Sequence, residues 1–352
     1  MVNEILKDLE YISKSVGIPV DYTQGGGGNT SAKLDDNLMA VKASGYKLKQ
    51  ITPQEGYVVV NYQNIKAFYE AVDLSQDRDF EKESVEFVKK NIVETEGLKT
   101  LRPSVEAGFH SILKKYVIHT HSVYANMVCC TQNGRETMEK IFAGKEYGVV
   151  WIPYINPGFC LTLRIQDEIR KFAAEKGKYP EVIFMENHGL VVTTDDSREC
   201  VALHQEVNDG IKAYLGIREK FPDIVLSQLD DGTFISKTAL LSDYFKNHKM
   251  YTGFFDEIVL YPDQLVYLNG NAAVDTMDKK LNINSATGQI TYKTNFSEAQ
   301  TMEETLLAYI YVINGIKSSG LPLKTMSEKE IDFIKNWESE AYRKSLVKGL
   351  GR

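Results

Sequence analysis

Helix-like and strand-like stretches alternate along the first two thirds of this chain, and that alternation restricts the fold more than any other feature. Ile5, Leu9, Ile12 and Val16 are spaced four, three and four apart, which puts them on one stripe of a helix that Gly17 stops. After a polar turn region over 23–31, short apolar runs at 38–43 and 57–60 read as strands. Helical stretches follow at 64–72 and 82–93. Ser104 can cap a helix running to about Lys115. Further strands are expected at 116–119, 149–155, 182–185 and 190–193, with a helix near Tyr124 and others at 161–176 and 197–215. Elements ordered in this way bury their apolar faces as an α/β layer structure.

The texture changes beyond Pro222. The segment 280–294 alternates around Ala286-Thr287-Gly288, as a hairpin does. Helices are expected at 297–316 and 327–346, the second opened by a Ser327/Glu330 capping box. The expected organisation is an α/β domain over 1–222 and a smaller α/β extension over 223–352, whose role the residues do not disclose.

Composition narrows the partners. With 43% hydrophobic and 25% charged residues, the 352-residue chain can build a packed core. Its net charge of -7 argues against a nucleic-acid surface, which needs a basic excess. The acidic balance still permits a phosphorylated small molecule, because a local cluster of donors can hold one phosphate. Cys129, Cys130, Cys160 and Cys200 form no CxxC pair, so buried thiols in a reducing compartment are expected. Met1 to Val16 alternates charged and apolar residues, unlike a signal peptide, and no run of about 18 apolar residues is present. A cytoplasmic protein without membrane spans is the expectation.

Chemistry concentrates at strand ends. In His119-Thr120-His121 the two imidazoles are two apart, so a strand turns them to one side. His188 stands between Asn187 and Gly189 in a turn between two strands, where Gly189 can supply a φ that other residues avoid. Glu106 falls in the first turn of an expected helix, a place that also suits a carboxylate for capping alone. Three neutral imidazoles with an optional carboxylate suit Zn²⁺ or a similar borderline ion and leave a position open. His110, one helical turn after Glu106, reads as a supporting or core histidine, and His204 as structural.

Several separate segments together resemble the class II aldolase/adducin family. They are Gly28-Asn29-Thr30-Ser31-Ala32-Lys33, Lys42-Ala43-Ser44-Gly45, Pro103-Ser104-Val105-Glu106 with Phe109-His110, His119-Thr120-His121, and Asn187-His188-Gly189. Each is modest alone, and the ordered set over about 200 residues is specific. Arg102 to Glu106, Tyr154 to Phe159 and Asn336 to Arg343 are most similar to the aldolase part of bifunctional rhamnulose-1-phosphate aldolase/dehydrogenase proteins.

The resemblance implies a three-layer α/β/α fold around a largely antiparallel sheet. It implies one divalent metal, expected to be Zn²⁺, held by His119, His121 and His188, with Glu106 as the catalytic proton carrier. Asn29, Ser44, Gly45 and Ser104 match the family's phosphate-binding positions. Lys33 and Lys42 are further candidates. Val105 stands where many members carry a second serine, which removes one donor. The implied reaction is cleavage of a ketose 1-phosphate to dihydroxyacetone phosphate and an aldehyde through a metal-stabilised enediolate. A sugar-phosphate epimerase or dehydratase would use the same site, although epimerases tend to carry aspartate at the Glu106 position. An adducin-like scaffold would be expected to have lost the histidines. The family also implies a small phosphorylated sugar as ligand and a homo-oligomer, with a tetramer expected.

Overall fold

Seven strands form the main sheet: β1 (Asn29–Lys33), β2 (Leu38–Lys42), β3 (Tyr57–Asn61), β4 (Tyr116–Thr120), β5 (Gly148–Ile152), β6 (Pro180–Met185) and β7 (Gly189–Thr194). A computed structural model describes residues 2–248, 250–251 and 253–336. The sheet order is β3-β2-β1-β4-β7-β6-β5. Every pairing is antiparallel except β5 with β6.

Period-two alternation sorts the sheet's side chains into two cores. On one face Ala32, Ala40, Tyr116, Ile118, Val182 and Leu190 pack with the helices Val2–Gly17, Val123–Cys129 and Ser197–Leu215. On the other, Met39, Val41 and Val60 meet the helix Tyr62–Ala71. There too Val117, Ile183 and Val191 meet the helix Phe159–Lys176. The result is the expected three-layer α/β/α arrangement around a largely antiparallel sheet.

The polar turn expected over 23–31 gives way to strand β1 from Asn29 onward. Its Asn, Thr, Ser and Lys residues carry little β signal, yet it is a central strand. Its buried hydroxyls are satisfied by tertiary partners: Thr30 Oγ1 lies 2.6 Å from Ser13 Oγ, and Ser31 Oγ lies 2.7 Å from His110 Nδ1.

The C-terminal region adds a five-stranded sheet of β8 (Leu226–Gln228), β9 (Phe234–Ser236), β10 (Ala272–Val274), β11 (Leu281–Ile283) and β12 (Ile290–Tyr292), ordered β10-β11-β12-β9-β8. The expected hairpin is β11–β12. The helix Phe296–Ser318 is buried nearly all round, Glu303 and Glu304 included, because it is enclosed between this sheet and the helix Val123–Cys129. Its Leu306, Ile310 and Ile313 share one apolar core with Val123, Met127 and Leu190. The last described helix is Glu328–Asn336. The remainder of the helix expected to 346, and Trp337 to Arg343 of the C-terminal motif, lie outside the described residues.

Candidate active site

Three adjacent strands converge on the site. Asn29 of β1 pairs with His119 of β4, and His119 pairs with Val191 of β7. Alternation sends Thr120 to the opposite face, where its hydroxyl lies 2.9 Å from His204 Nε2. His119 and His121 are thereby left on the same side. His188 reaches them from the turn joining β6 to β7. In that turn the left-handed residue is Asn187, at φ 48°, not Gly189. Glycine at 189 serves close approach instead: a Cβ there would stand 2.4 Å from the Thr120 carbonyl. Asn187 Nδ2 is occupied in donating to the carbonyls of Leu260 and Lys324, at 2.8 and 3.0 Å.

The helix after Ser104 starts later than expected, at Ala107. Glu106 therefore occupies its N-cap position, and its side chain caps nothing. The carboxylate turns inward, with Oε2 3.5 Å from His119 Nε2 and Oε1 3.3 Å from His188 Nε2. His119 Nε2 and His121 Nε2 are 3.2 Å apart. All four side chains are buried.

Burial lowers the His119 imidazole to about 4 and that of His188 to about 3. Burial also opposes charge on Glu106, but the imidazoles and the Asn29 amide outweigh it and hold the carboxyl down at about 2. At neutral pH His119 and His188 are thus neutral rings beside an ionised Glu106, the protonation states that metal ligation requires.

The ring nitrogens that face away from the centre are anchored. His119 Nδ1 lies 3.0 Å from the Leu190 carbonyl and His121 Nδ1 lies 2.5 Å from Asp263 Oδ2. A carbonyl only accepts, so in the neutral His119 ring Nδ1 carries the proton and Nε2 is the bare nitrogen. The carboxylate oxygen at His121 Nδ1 likewise turns that ring's Nε2 toward the centre. With Zn–N bonds of about 2.0–2.1 Å, a tetrahedral shell has ligand edges of about 3.3 Å. The His119–His121 spacing of 3.2 Å, and the 3.5 and 3.3 Å from the two Glu106 oxygens to His119 and His188, lie near that edge, so the donor set fits a divalent ion such as Zn²⁺.

Beside this centre runs a pocket lined by Gly26, Gly28, Asn29, Lys42, Ser44, Gly45, Ser104, Glu106, His121, Pro157, His188 and Pro262. It brings together all four positions singled out for phosphate. Ser44 and Ser104 are held by backbone bonds between two segments, Ser44 N to Arg102 O and Ser104 N to Lys42 O. Asn29 is engaged at both ends of its amide: Nδ2 donates to Ser104 Oγ and Glu106 Oε2, and Oδ1 meets His110 Nε2. Lys42 Nζ donates to Gly26 O at 3.0 Å. Lys33, in contrast, points its ammonium to the Leu113 carbonyl, away from the pocket. His110 is the supporting group expected, fully buried between Asn29 and Ser31.

Sequence reasoning missed Asp263 and Pro262. No motif marks them, since Asp263 lies 142 residues from the histidine it touches.

Residues 14–215 match the Class II Aldolase and Adducin N-terminal domain. The chain belongs to this family. The uncharacterized oxidoreductase YuxG of Bacillus subtilis (strain 168) is 28% identical over 229 residues, 61% of this chain and 31% of that protein. The chain thus spans under a third of that relative's length. A 3-oxo-tetronate 4-phosphate decarboxylase of Haemophilus influenzae is 25% identical over 210 residues, 56% of this chain and 80% of that protein. Among solved structures, the N-terminal class II aldolase domain of a conserved Thermoplasma acidophilum protein covers 60% of this chain and 93% of that one, at TM-score 0.49 and 25% identity. An L-fuculose 1-phosphate aldolase covers 60% and 84%, at TM-score 0.40 and 21% identity.

Proposed function

We propose that this chain is a metal-dependent aldolase that cleaves a ketose 1-phosphate to dihydroxyacetone phosphate and an aldehyde. The observation that carries the reading is the buried imidazole triad His119, His121 and His188, whose ligand atoms all lie within 4.8 Å of one another, with an ionised Glu106 against His119 and His188. A divalent ion there, Zn²⁺ in this proposal, would act as the electrophile that stabilises the enediolate left by carbon–carbon cleavage.

The chain's own residues account for the rest. Ser44, Gly45 and Ser104 supply small donors for the phosphate in the pocket that Asn29 also lines, where Asn29 Nδ2 holds the Ser104 hydroxyl in place, with Lys42 adding charge at the pocket wall. In cleavage the hydroxyl oxygen on the carbon that becomes the aldehyde gives its proton to solvent water, its electron pair forms the new C=O bond, and the bond to the next carbon breaks. The electron pair stays beside the ketone until a proton is returned. Glu106, ionised and buried next to the pocket, is the group assigned to proton transfer at that carbon. The Asn29 amide fixes its Oε2, and His110 fixes Asn29 in turn. Residues 1–222 form the catalytic domain of this proposal, and 223–352 its C-terminal α/β extension. A cytoplasmic homotetramer completes the reading; no helix among the described residues is long and apolar enough to cross a membrane.

The similarity to a 3-oxo-tetronate 4-phosphate decarboxylase favours a second reading at the same site. Loss of CO₂ next to a carbonyl leaves an anion of the same kind, needing the same electrophile. Epimerisation or dehydration of a sugar phosphate would also use it. The test is to incubate metal-loaded protein with ketose 1-phosphates, rhamnulose and fuculose phosphates included, and with an oxo-tetronate phosphate. Triose phosphate, CO₂ and epimers are each measured. Chelator-sensitive triose phosphate release that Glu106→Gln abolishes is the expected result. CO₂ release without triose phosphate would replace aldol cleavage by decarboxylation.

A further inference from the structure

The segment matched to the family ends at residue 215, yet residues beyond it reach the centre of the site. Asp263 sits in the short helical turn Pro262–Gln264 and is fully buried. Its Oδ2 lies 2.5 Å from His121 Nδ1. Nearby residues fasten the same region to the glycine loop: Glu304 Oε2 accepts from Gly25 N at 2.8 Å, and Tyr267 Oη accepts from Gly26 N at 3.3 Å. Position 27 must lack a side chain for this approach, because a Cβ there would stand 2.4 Å from Asp263 Oδ2 and 2.8 Å from His121 Nδ1.

We propose that Asp263 is a positioning residue of the metal centre, which completes the site from the C-terminal region by orienting His121. The inference rests on the reading of His119, His121 and His188 as ligands. A carboxylate accepting from Nδ1–H fixes the tautomer, turns the Nε2 lone pair toward the other rings and makes the imidazole a stronger donor. His119 Nδ1 faces a neutral carbonyl. At His121 the Nδ1 partner is a carboxylate, and it comes from outside the segment matched to the family.

The test uses the full chain with Zn²⁺ and with Co²⁺, comparing wild type, Asp263→Asn and Asp263→Ala. Affinity is measured by competition with a chelator of known strength, and ligand geometry by the visible absorption of the Co²⁺ form. Both variants are expected to bind about 10–100-fold more weakly, with Asp263→Ala the weaker, and with an altered Co²⁺ spectrum. Thermal unfolding in excess chelator separates loss of the site from loss of the fold. Unchanged affinity and spectrum in the folded variants would overturn the role of Asp263 while leaving the metal reading intact. A wild-type chain that binds no stoichiometric ion would instead remove the premise, the ligand assignment itself.

Discussion

Asn29 is a buried amide engaged at both ends: its Oδ1 meets His110 and its Nδ2 is divided between Ser104 and Glu106. Such a residue ties the pocket wall at Ser104 to the Glu106 carboxylate, so a change in one is felt in the other. Replacing a ligand is more severe than disturbing a supporting residue. His188→Ala should weaken metal binding by more than the roughly 10–100-fold typical of an outer partner, read by metal content after dialysis. Gly27→Ala should cost about 1–3 kcal/mol in unfolding free energy through overpacking and should lower metal affinity, because the new methyl displaces Asp263 or His121. Normal stability and normal affinity in that variant would mean the loop yields without effect. At this scale the His-x-His pair and His188 were legible, because a strand's alternation and a turn between strands are local properties. Asp263 was not, since only packing brings it to His121.

Among the elements, the helix Phe296–Ser318 carries Glu303, whose carboxylate accepts hydroxyl hydrogen bonds from Ser236 at 2.6 Å, Thr238 at 2.5 Å and Tyr292. Burial pushes the Glu303 carboxyl up, and the three hydroxyls pull the other way. One side chain thereby fastens the helix to β9 and β12. Glu303→Ala leaves three buried donors without an acceptor and should destabilise the chain by about 2–4 kcal/mol in urea unfolding. Glu303→Gln keeps an acceptor and should cost less. The helix itself was readable from sequence, since a long apolar run with Asn295 before it needs little context. The strand β1 was not, because its pattern is polar and its burial is made possible by Ser13 and His110 from other elements.

For the whole molecule, pH reports on the buried histidines. Burial lowers His110, His188 and His204 to about 3 and His119 to about 4, from 6.5. Between pH 6.5 and those values the unfolded chain binds more protons than the folded one, so stability must fall as pH falls through that window. Glu106, lowered to about 2, adds a loss of the same sign below 4.5. Glu303, raised by burial, acts in the opposite direction as pH rises above 4.5. The chelated protein should therefore lose unfolding free energy steadily from pH 6.5 towards 4, with each histidine contributing up to a few kcal/mol. A flat profile over that range would show that these rings do not stay neutral and buried.

What the sequence determined by itself was carried by periodicity and short spacing: the helices and most strands of the main sheet, their α/β class, and the His119/His121 pair with His188, while Glu106 stood out only through the ordered family motifs. The tertiary structure decided which polar residues could be buried. It made Asn29–Lys33 a central strand, turned the Glu106 carboxylate inward against the imidazoles, and gave Asn187 rather than Gly189 the left-handed turn position. It also brought Asp263, Tyr267 and Glu304 onto the glycine loop. Those outcomes depend on hydrogen-bond partners far away in the chain, and no local pattern encodes a partner that only folding supplies.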